Sequence, residues 1–102
     1  MKLYMYSKKK DIEAYADFDE ESGSFTVLKG STVSEDVVTT GTFRGANSII
    51  KAREGFVVGR TVTQDAVFTS ASTAANFVTG RSTNGLIAWK TKDGKTLKEY
   101  LK

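Results

Sequence analysis

The sequence predicts a single small α+β domain, an antiparallel β-meander with two or three short helices packed on it. A chain of 102 residues has room for one hydrophobic core and is predicted to be one domain over 1–102. Apolar and polar residues alternate early in the chain, which is typical of half-buried strands. Later they recur with a helical period. Strands that come first and helices that follow favour the α+β class.

The first half of the chain is predicted to form short antiparallel strands. The run 3–6 is one candidate, and the run 12–18 alternates strictly. Its predicted faces are Ile12, Ala14, Ala16 and Phe18 on one side, and Glu13, Tyr15 and Asp17 on the other. The polar run 20–24 predicts a hairpin turn, and 25–28 predicts the next strand.

Two helices are predicted after residue 43. The first covers 44–54, with Thr42 as its N-cap and Gly55 as its stop, and it places Arg44 and Lys51 on the polar face. The second runs from Ser70, whose hydroxyl can accept from first-turn amides, to Gly80, which favours a left-handed stop.

The remaining segments are predicted from short runs. Residues 56–58 indicate a buried strand, 66–68 another, and 86–89 a third that follows a polar turn. Thr96 and Glu99 have the spacing of a capping box, which predicts a terminal helix that buries Leu97 and either Leu101 or Tyr100.

The composition excludes several kinds of chemistry, because the chain has no Cys, no His and no Pro. A disulfide framework, a thiolate zinc site and a Ser-His or Cys-His triad are therefore impossible. The acidic run Asp17, Asp19, Glu20 and Glu21 is the one candidate for carboxylate catalysis or Mg²⁺ binding. It crowds a predicted turn, however, so we expect no enzyme activity, no catalytic residue, no metal site and no cofactor.

The charge is unevenly distributed along the chain. The net charge is +3, but residues 1–43 carry five basic and eight acidic side chains, whereas 44–102 carry ten and four. A basic half suits a surface that faces phosphates, although a solvated surface would have the same composition. The sequence shows no secretory signal and no apolar run long enough for a membrane span, and we expect a cytoplasmic protein without membrane contact.

The second half carries motifs of a known bacterial family. They are the run 68–85, which contains Ser70-Ala71-Ser72 and Asn84-Gly85, then Trp89-Lys90, then the run 93–97. With the earlier Val27-Leu28-Lys29-Gly30-Ser31, this pattern resembles the domain of unknown function 4357 family over about residues 12–102. It is also similar to the domain that accompanies restriction enzymes and adenine methylases.

The resemblance implies a function near nucleic acid, because such domains are often fused to GIY-YIG-type nucleases or to restriction–modification proteins. A partner nuclease or methylase is therefore an expectation. The chain departs from the family pattern at Ala71, where Pro is usual, and at Leu86-Ile87, where a bulkier aromatic residue sometimes stands. A Pro at the first helical position contributes only local pre-organisation, so we expect the fold to persist without it.

Candidate nucleic-acid contacts come from basic and hydrogen-bonding residues in the second half. They are Arg44, Lys51, Ser70, Ser72, Arg81, Ser82, Asn84 and Lys90, with Lys92 nearby. A helix N-terminus, cations and side-chain donors suit phosphates and base edges. Helix caps, turns and solvated lysines explain the same residue types. Trp89 could stack on a base, but a core position is the more common role of such a Trp.

Two hypotheses follow. The first is a non-catalytic DNA-binding accessory module of restriction or nuclease-type systems. The alternative is a protein–protein interaction or structural module without affinity for nucleic acid, which a large exposed apolar patch would favour. The sequence leaves open DNA against RNA, the target and the oligomeric state.

Overall fold

A computed structural model of the protein describes residues 1–37 and 45–101. The elements, in chain order, are β1 (Lys2–Ser7), β2 (Ile12–Phe18), β3 (Phe25–Val27), α1 (Ala46–Glu54), β4 (Val57–Val58), β5 (Thr61–Val62), β6 (Ala66–Phe68), α2 (Ala71–Thr79), α3 (Gly85–Ala88) and α4 (Leu97–Tyr100). Two of the sequence predictions, the Thr42 cap and the Arg44 contact, lie outside the described residues. The observed α1 is preceded by Gly45.

The sheet confirms the predicted fold class. Its four strands are antiparallel in the order β1-β2-β3-β6, so the first three form a meander and the later β6 is added beside β3. The alternation in 12–18 is confirmed as well: Ile12, Ala14 and Ala16 are buried, while Glu13 and Asp17 are exposed. The hairpin β4–β5 is a second, two-stranded sheet.

The core lies between one face of the four-stranded sheet and the helices. Its largest fully buried side chains are Trp89, Phe25 and Phe77. Phe25 and Trp89 pack with ring centroids 5.2 Å apart, in the range of favourable aromatic pairs. Trp89 is therefore a core residue, and it has no exposed ring face on which a base could stack.

The helix α2 forms where the local signals predict it. The Ser70 hydroxyl accepts from the Thr73 amide at 3.1 Å, and Gly80 ends the helix in the left-handed conformation with φ 72°. A side chain at residue 80 would also collide with Ser34 and with the Asp36 carbonyl. Gly80 is thus required by its backbone angle and by its packing.

Arg53 ties α1 to the end of α2. Its half-buried guanidinium donates to the carbonyls of Phe77, Val78 and Ser34 at 2.8–3.2 Å. Burial lowers the pKa of Arg53, and the Asp36 carboxylate opposes that effect. A cation at the C-terminal end of a helix is favourable because the last carbonyls carry partial negative charge.

Three local predictions are wrong. Residues 85–88, which overlap most of the predicted strand 86–89, form the one-turn helix α3, because Asn84 caps it by accepting from the Leu86 amide at 3.0 Å. The run 56–58 gives only the two-residue β4, and Val58 is 72% exposed, since β4 turns back at once through Gly59 with φ 64°. Helix α4 does begin at the Thr96 cap and buries Leu97, but Tyr100 and Leu101 are exposed.

Candidate functional site

The outer face of the sheet carries a cluster of three tyrosines, Tyr4, Tyr6 and Tyr15, which we call the tyrosine face. Strand alternation directs Tyr4 and Tyr6 of β1 away from the core, since Leu3 and Met5, which alternate with them along the strand, are buried. Tyr15 lies opposite Tyr4 in the β1–β2 register. One strand pair therefore presents three aromatic rings on the side of the sheet that does not face the core.

The three rings are ordered by contact with one another. Tyr4 and Tyr6 stack with centroids 6.1 Å apart and ring planes 16° from parallel. Tyr15 meets Tyr4 and Tyr6 edge-on at 5.9 and 6.3 Å. The Lys2 ammonium lies 5.9 Å from the Tyr4 centroid and 5.4 Å from the Tyr15 centroid, within cation–π range.

Glu13 fixes the edge of the tyrosine face. The Tyr15 hydroxyl donates to the Glu13 carboxylate at 2.7 Å, which is the length of a strong charge-assisted hydrogen bond. That hydrogen bond, with smaller contributions from desolvation and the Glu13 charge, raises the pKa of Tyr15 to about 12. Tyr15 therefore stays protonated at neutral pH and continues to donate to Glu13.

A groove of about 600 Å³ runs between β1 and the segment that follows α3, and we call it the β1 groove. Its lining is Tyr4, Met5, Tyr6, Ile87, Ala88, Lys90, Thr91, Lys92 and Gly94. The backbone of Lys90 pairs with that of Tyr4 through hydrogen bonds of 2.8 and 2.9 Å, which hold the two walls at a fixed separation. The groove thus brings Tyr4 and Tyr6 of β1 together with Lys90 and Lys92 of the segment after α3.

A second group of cations lies at the β1–β2 turn, next along the chain from Tyr6. The turn carries Lys8, Lys9 and Lys10, and Arg60 braces it by donating to the Lys10 and Asp11 carbonyls at 3.0 and 2.8 Å. Partial burial lowers the pKa of Lys10, and the charges of Arg81 and Lys9 lower it further. The charge of Arg81 thus acts on this turn, although 71 positions separate it from Lys10 in the sequence.

The structure places the hydroxyls of Ser70 and Ser72 and the amide of Asn84 in hydrogen bonds that support the fold. Ser70 caps α2, Asn84 caps α3, and the Ser72 hydroxyl accepts from the Gly85 amide at 3.1 Å. A Cβ at Gly85 would overlap the Ala71 carbonyl, so glycine is needed for this approach. The Trp89 indole donates to the same Ala71 carbonyl at 3.1 Å. The residues that carry the family resemblance therefore lock α2, α3 and Trp89 together.

The other predicted contacts are dispersed among the described residues. Lys90 lies in the β1 groove, Arg81 and Ser82 are exposed in the turn between α2 and α3, and Lys51 is exposed on α1. The structure thus brings Lys90 together with the tyrosine face, and Arg81 together with the lysine turn.

Sequence reasoning did not select the tyrosine face or Lys2. The signal was present in the first strand, where Lys2, Tyr4 and Tyr6 alternate with Leu3 and Met5. Residues two apart in a strand share a face, so this spacing predicts one aromatic and basic surface.

The acidic run forms an exposed turn between β2 and β3. Asp17 contacts the N-terminal ammonium at 3.3 Å, and Asp19 accepts from the Glu21 amide at 3.0 Å, which together with the Ser22 hydroxyl lowers the pKa of Asp19. Within 1–37 and 45–101, no three acidic side chains are arranged to hold a metal ion.

The fold and this surface define a small α+β domain with one closed and one open sheet face, of which the open face carries the three tyrosines and Lys2. The chain belongs to the family described as domain of unknown function (DUF4357), whose family model matches residues 5–101. No curated protein and no solved structure matches the chain. The helices in the described part of the chain are all too short or too polar to cross a membrane.

Proposed function

We propose that this domain is a non-catalytic DNA-binding accessory module of restriction or nuclease-type systems. The observation that carries the proposal is the β1 groove, which Lys90 and Lys92 line together with Tyr4 and Tyr6. Cations that neutralise phosphates release counterions and supply most of the sequence-independent affinity for DNA. Aromatic rings beside those cations suit bases.

The second group of cations enlarges the surface that phosphates can contact. Lys8, Lys9 and Lys10 lie in the turn that follows β1, and the charge of Arg81, from the turn after α2, acts on Lys10. Like charges held close together repel one another, and an anionic partner relieves that repulsion. The turn therefore suits a phosphate backbone that continues past the groove.

The residue inventory favours binding over catalysis. The chain has no His and no Cys, and its acidic run is an exposed turn. The resemblance to domains that accompany restriction enzymes, adenine methylases and nucleases supports a role in which a partner protein supplies the chemistry. A cytoplasmic location would accord with that role.

Fluorescence anisotropy of labelled duplex and single-stranded DNA, at low and at raised salt, tests the proposal. We expect binding that weakens with salt, and a weaker, less salt-dependent affinity for the double variant Lys90→Ala/Lys92→Ala. Each lost phosphate contact should lower the salt slope by about 1. Arg81→Ala should also weaken DNA binding.

The matched control is Lys29→Ala. Lys29 is exposed, and its amide donates to Asp65 next to β6, at the sheet edge opposite β1. No binding of either DNA at low salt would overturn the proposal, as would equal losses for Lys29→Ala and the groove variants. A stable dimer without DNA affinity, seen by light scattering after size exclusion, would establish the protein-interaction alternative instead.

A further inference from the structure

The tyrosine face is unusual for a surface that water covers. Tyr6 keeps 62% of its side chain exposed, and its ring stacks on the half-buried Tyr4 with planes 16° from parallel. Tyr15 supports both rings edge-on. Because neighbouring side chains already hold these rings, a ligand that stacks on them loses little side-chain entropy on binding.

The β1 groove is large enough to admit a small planar ring. Its volume of about 600 Å³ lies within the usual range for small-molecule sites. Tyr4 and Tyr6 of β1 and Ile87 and Ala88 of α3 give the groove an apolar lining, and Lys90 and Lys92 line it as well. A flat apolar ring with an attached anion is the chemistry that fits such walls.

The charges around the tyrosine face distinguish an anionic ligand from a cationic one. Lys2, Lys90 and Lys92 are exposed cations at the face and the groove. Two carboxylates share the face with Tyr15: Glu13, opposite Tyr6 in the register, accepts the Tyr15 hydroxyl at 2.7 Å, and Asp17 lies opposite Lys2. Asp17 contacts the N-terminal ammonium at 3.3 Å, at the far end of β2 from the groove's Tyr6. The groove side is therefore basic.

We infer that the tyrosine face and the β1 groove bind single-stranded DNA, with unpaired bases stacking on Tyr6 and Tyr4 and phosphates contacting Lys2, Lys90 and Lys92. This inference rests on the proposed DNA-binding function and specifies the substrate class. A base within a duplex has both faces covered by its neighbours, so only an unpaired or flipped base can offer a face to Tyr6. An apolar groove beside rings with lysines at its border is the arrangement by which proteins hold single strands.

The test compares short oligothymidylate, the matching duplex and short oligouridylate as competitors for one labelled single strand. We expect oligothymidylate to compete best. Tyr6→Ala should weaken single-strand binding by roughly 5- to 100-fold, the usual effect of losing one stacked base. Tyr6→Phe should bind like the unaltered protein, because stacking needs the ring and not the hydroxyl. Lys92→Ala should weaken binding and reduce its salt dependence.

Val67→Ala is the matched control, because Val67 is 67% exposed on β6 at the opposite edge of the same sheet. Thermal unfolding of Tyr6→Ala should match that of the unaltered protein, which excludes a folding defect. Stronger binding of duplex, unchanged affinity of Tyr6→Ala, or preference for the uridylate strand would each overturn the inference and leave nucleic-acid binding intact. Absence of binding to every probe would overturn the proposed function as well.

Discussion

The two faces of the four-stranded sheet are built from the same strands and have opposite roles. On the inner face Leu3, Ala16 and Phe25 are fully buried against the helices and Trp89. On the outer face, residues one position away along the same strands are Tyr4 and Tyr15, which pack only at the surface. Alternation alone separates the two sets, since adjacent side chains in a strand point to opposite faces.

This difference shows what the family motif does. The motif residues Ser72, Gly85 and Trp89 all meet at the start of α2, where Trp89 and Gly85 converge on the Ala71 carbonyl. They keep the inner face closed. The rings proposed to stack on bases belong to β1, outside these motifs, whereas Lys90 of the β1 groove belongs to the Trp89-Lys90 motif.

The largest effect on stability should come from a substitution that removes a core side chain from the inner face. Trp89→Ala removes a fully buried ring, its contact with Phe25 and the indole bond to the Ala71 carbonyl. We expect a loss of about 3–5 kcal/mol in the free energy of unfolding, measured by urea denaturation, because large-to-small core substitutions leave a cavity. For a domain of this size, that is a large fraction of the total stability.

Tyr6→Ala is the comparison on the outer face. Tyr6 is mostly exposed, so its truncation should change the free energy of unfolding by no more than about 0.5 kcal/mol. Equal losses for Trp89→Ala and Tyr6→Ala would contradict the separation of a structural face from a binding face.

The inner face was the part of the molecule that the sequence predicted well. Ser70 and Gly80 mark the two ends of α2 by local rules that involve only nearby backbone. The alternation of 12–18 determines which side of β2 is buried. Both signals come from a few neighbouring residues and can be recognised without tertiary information.

Other features depended on contacts that the sequence does not display. A four-residue apolar run such as 86–89 has no period that separates a strand from a helix, and the Asn84 cap decides in favour of α3. The spacing of Lys2, Tyr4 and Tyr6 indicates the tyrosine face, whereas the β1 groove depends on the pairing of Lys90 with Tyr4, which the sequence does not show.

A smaller effect should appear in the acid–base behaviour of the outer face. The pKa of Tyr15 is about 12 in the folded protein, above its ordinary value of about 10, mainly because of the hydrogen bond to Glu13. The folded state therefore binds this proton more tightly than the unfolded chain. The resulting stabilisation is complete below about pH 10 and is lost as the pH rises towards 12.

Glu13→Gln should move the pKa of Tyr15 down towards the ordinary value, because the charged acceptor is removed. Titration of tyrosinate absorbance would then show one tyrosine ionising at lower pH, and stability would fall less steeply above pH 10. Glu20→Gln is the matched control, since Glu20 raises the pKa of Tyr100 and not that of Tyr15. A Glu13→Gln titration that overlays the original would mean that the hydrogen bond does not hold the edge of the tyrosine face.

One substitution on the inner face is expected to increase stability by a small amount. Ala71 is the first residue of α2, where the family pattern usually has Pro and this chain has none. The amide at that position has no acceptor within the helix, and Ser70 before it is extended at φ −148° and ψ 152°, which suits a residue that precedes proline. Ala71→Pro should raise the free energy of unfolding by about 0.4–1 kcal/mol by restricting the unfolded chain.

Thr73→Pro, in the same helical turn, is the control for Ala71→Pro. It tests whether the gain is specific to position 71 or whether this turn accepts proline at any position. The Thr73 amide donates to the Ser70 hydroxyl at 3.1 Å, so proline there removes the cap and should cost about 0.5–2 kcal/mol. Urea denaturation of the two variants should therefore give changes of opposite sign. A loss for Ala71→Pro would mean that the close approach of Gly85 and Trp89 to the Ala71 carbonyl leaves no freedom for the proline ring, and that this chain has adapted its α2–α3 junction to alanine.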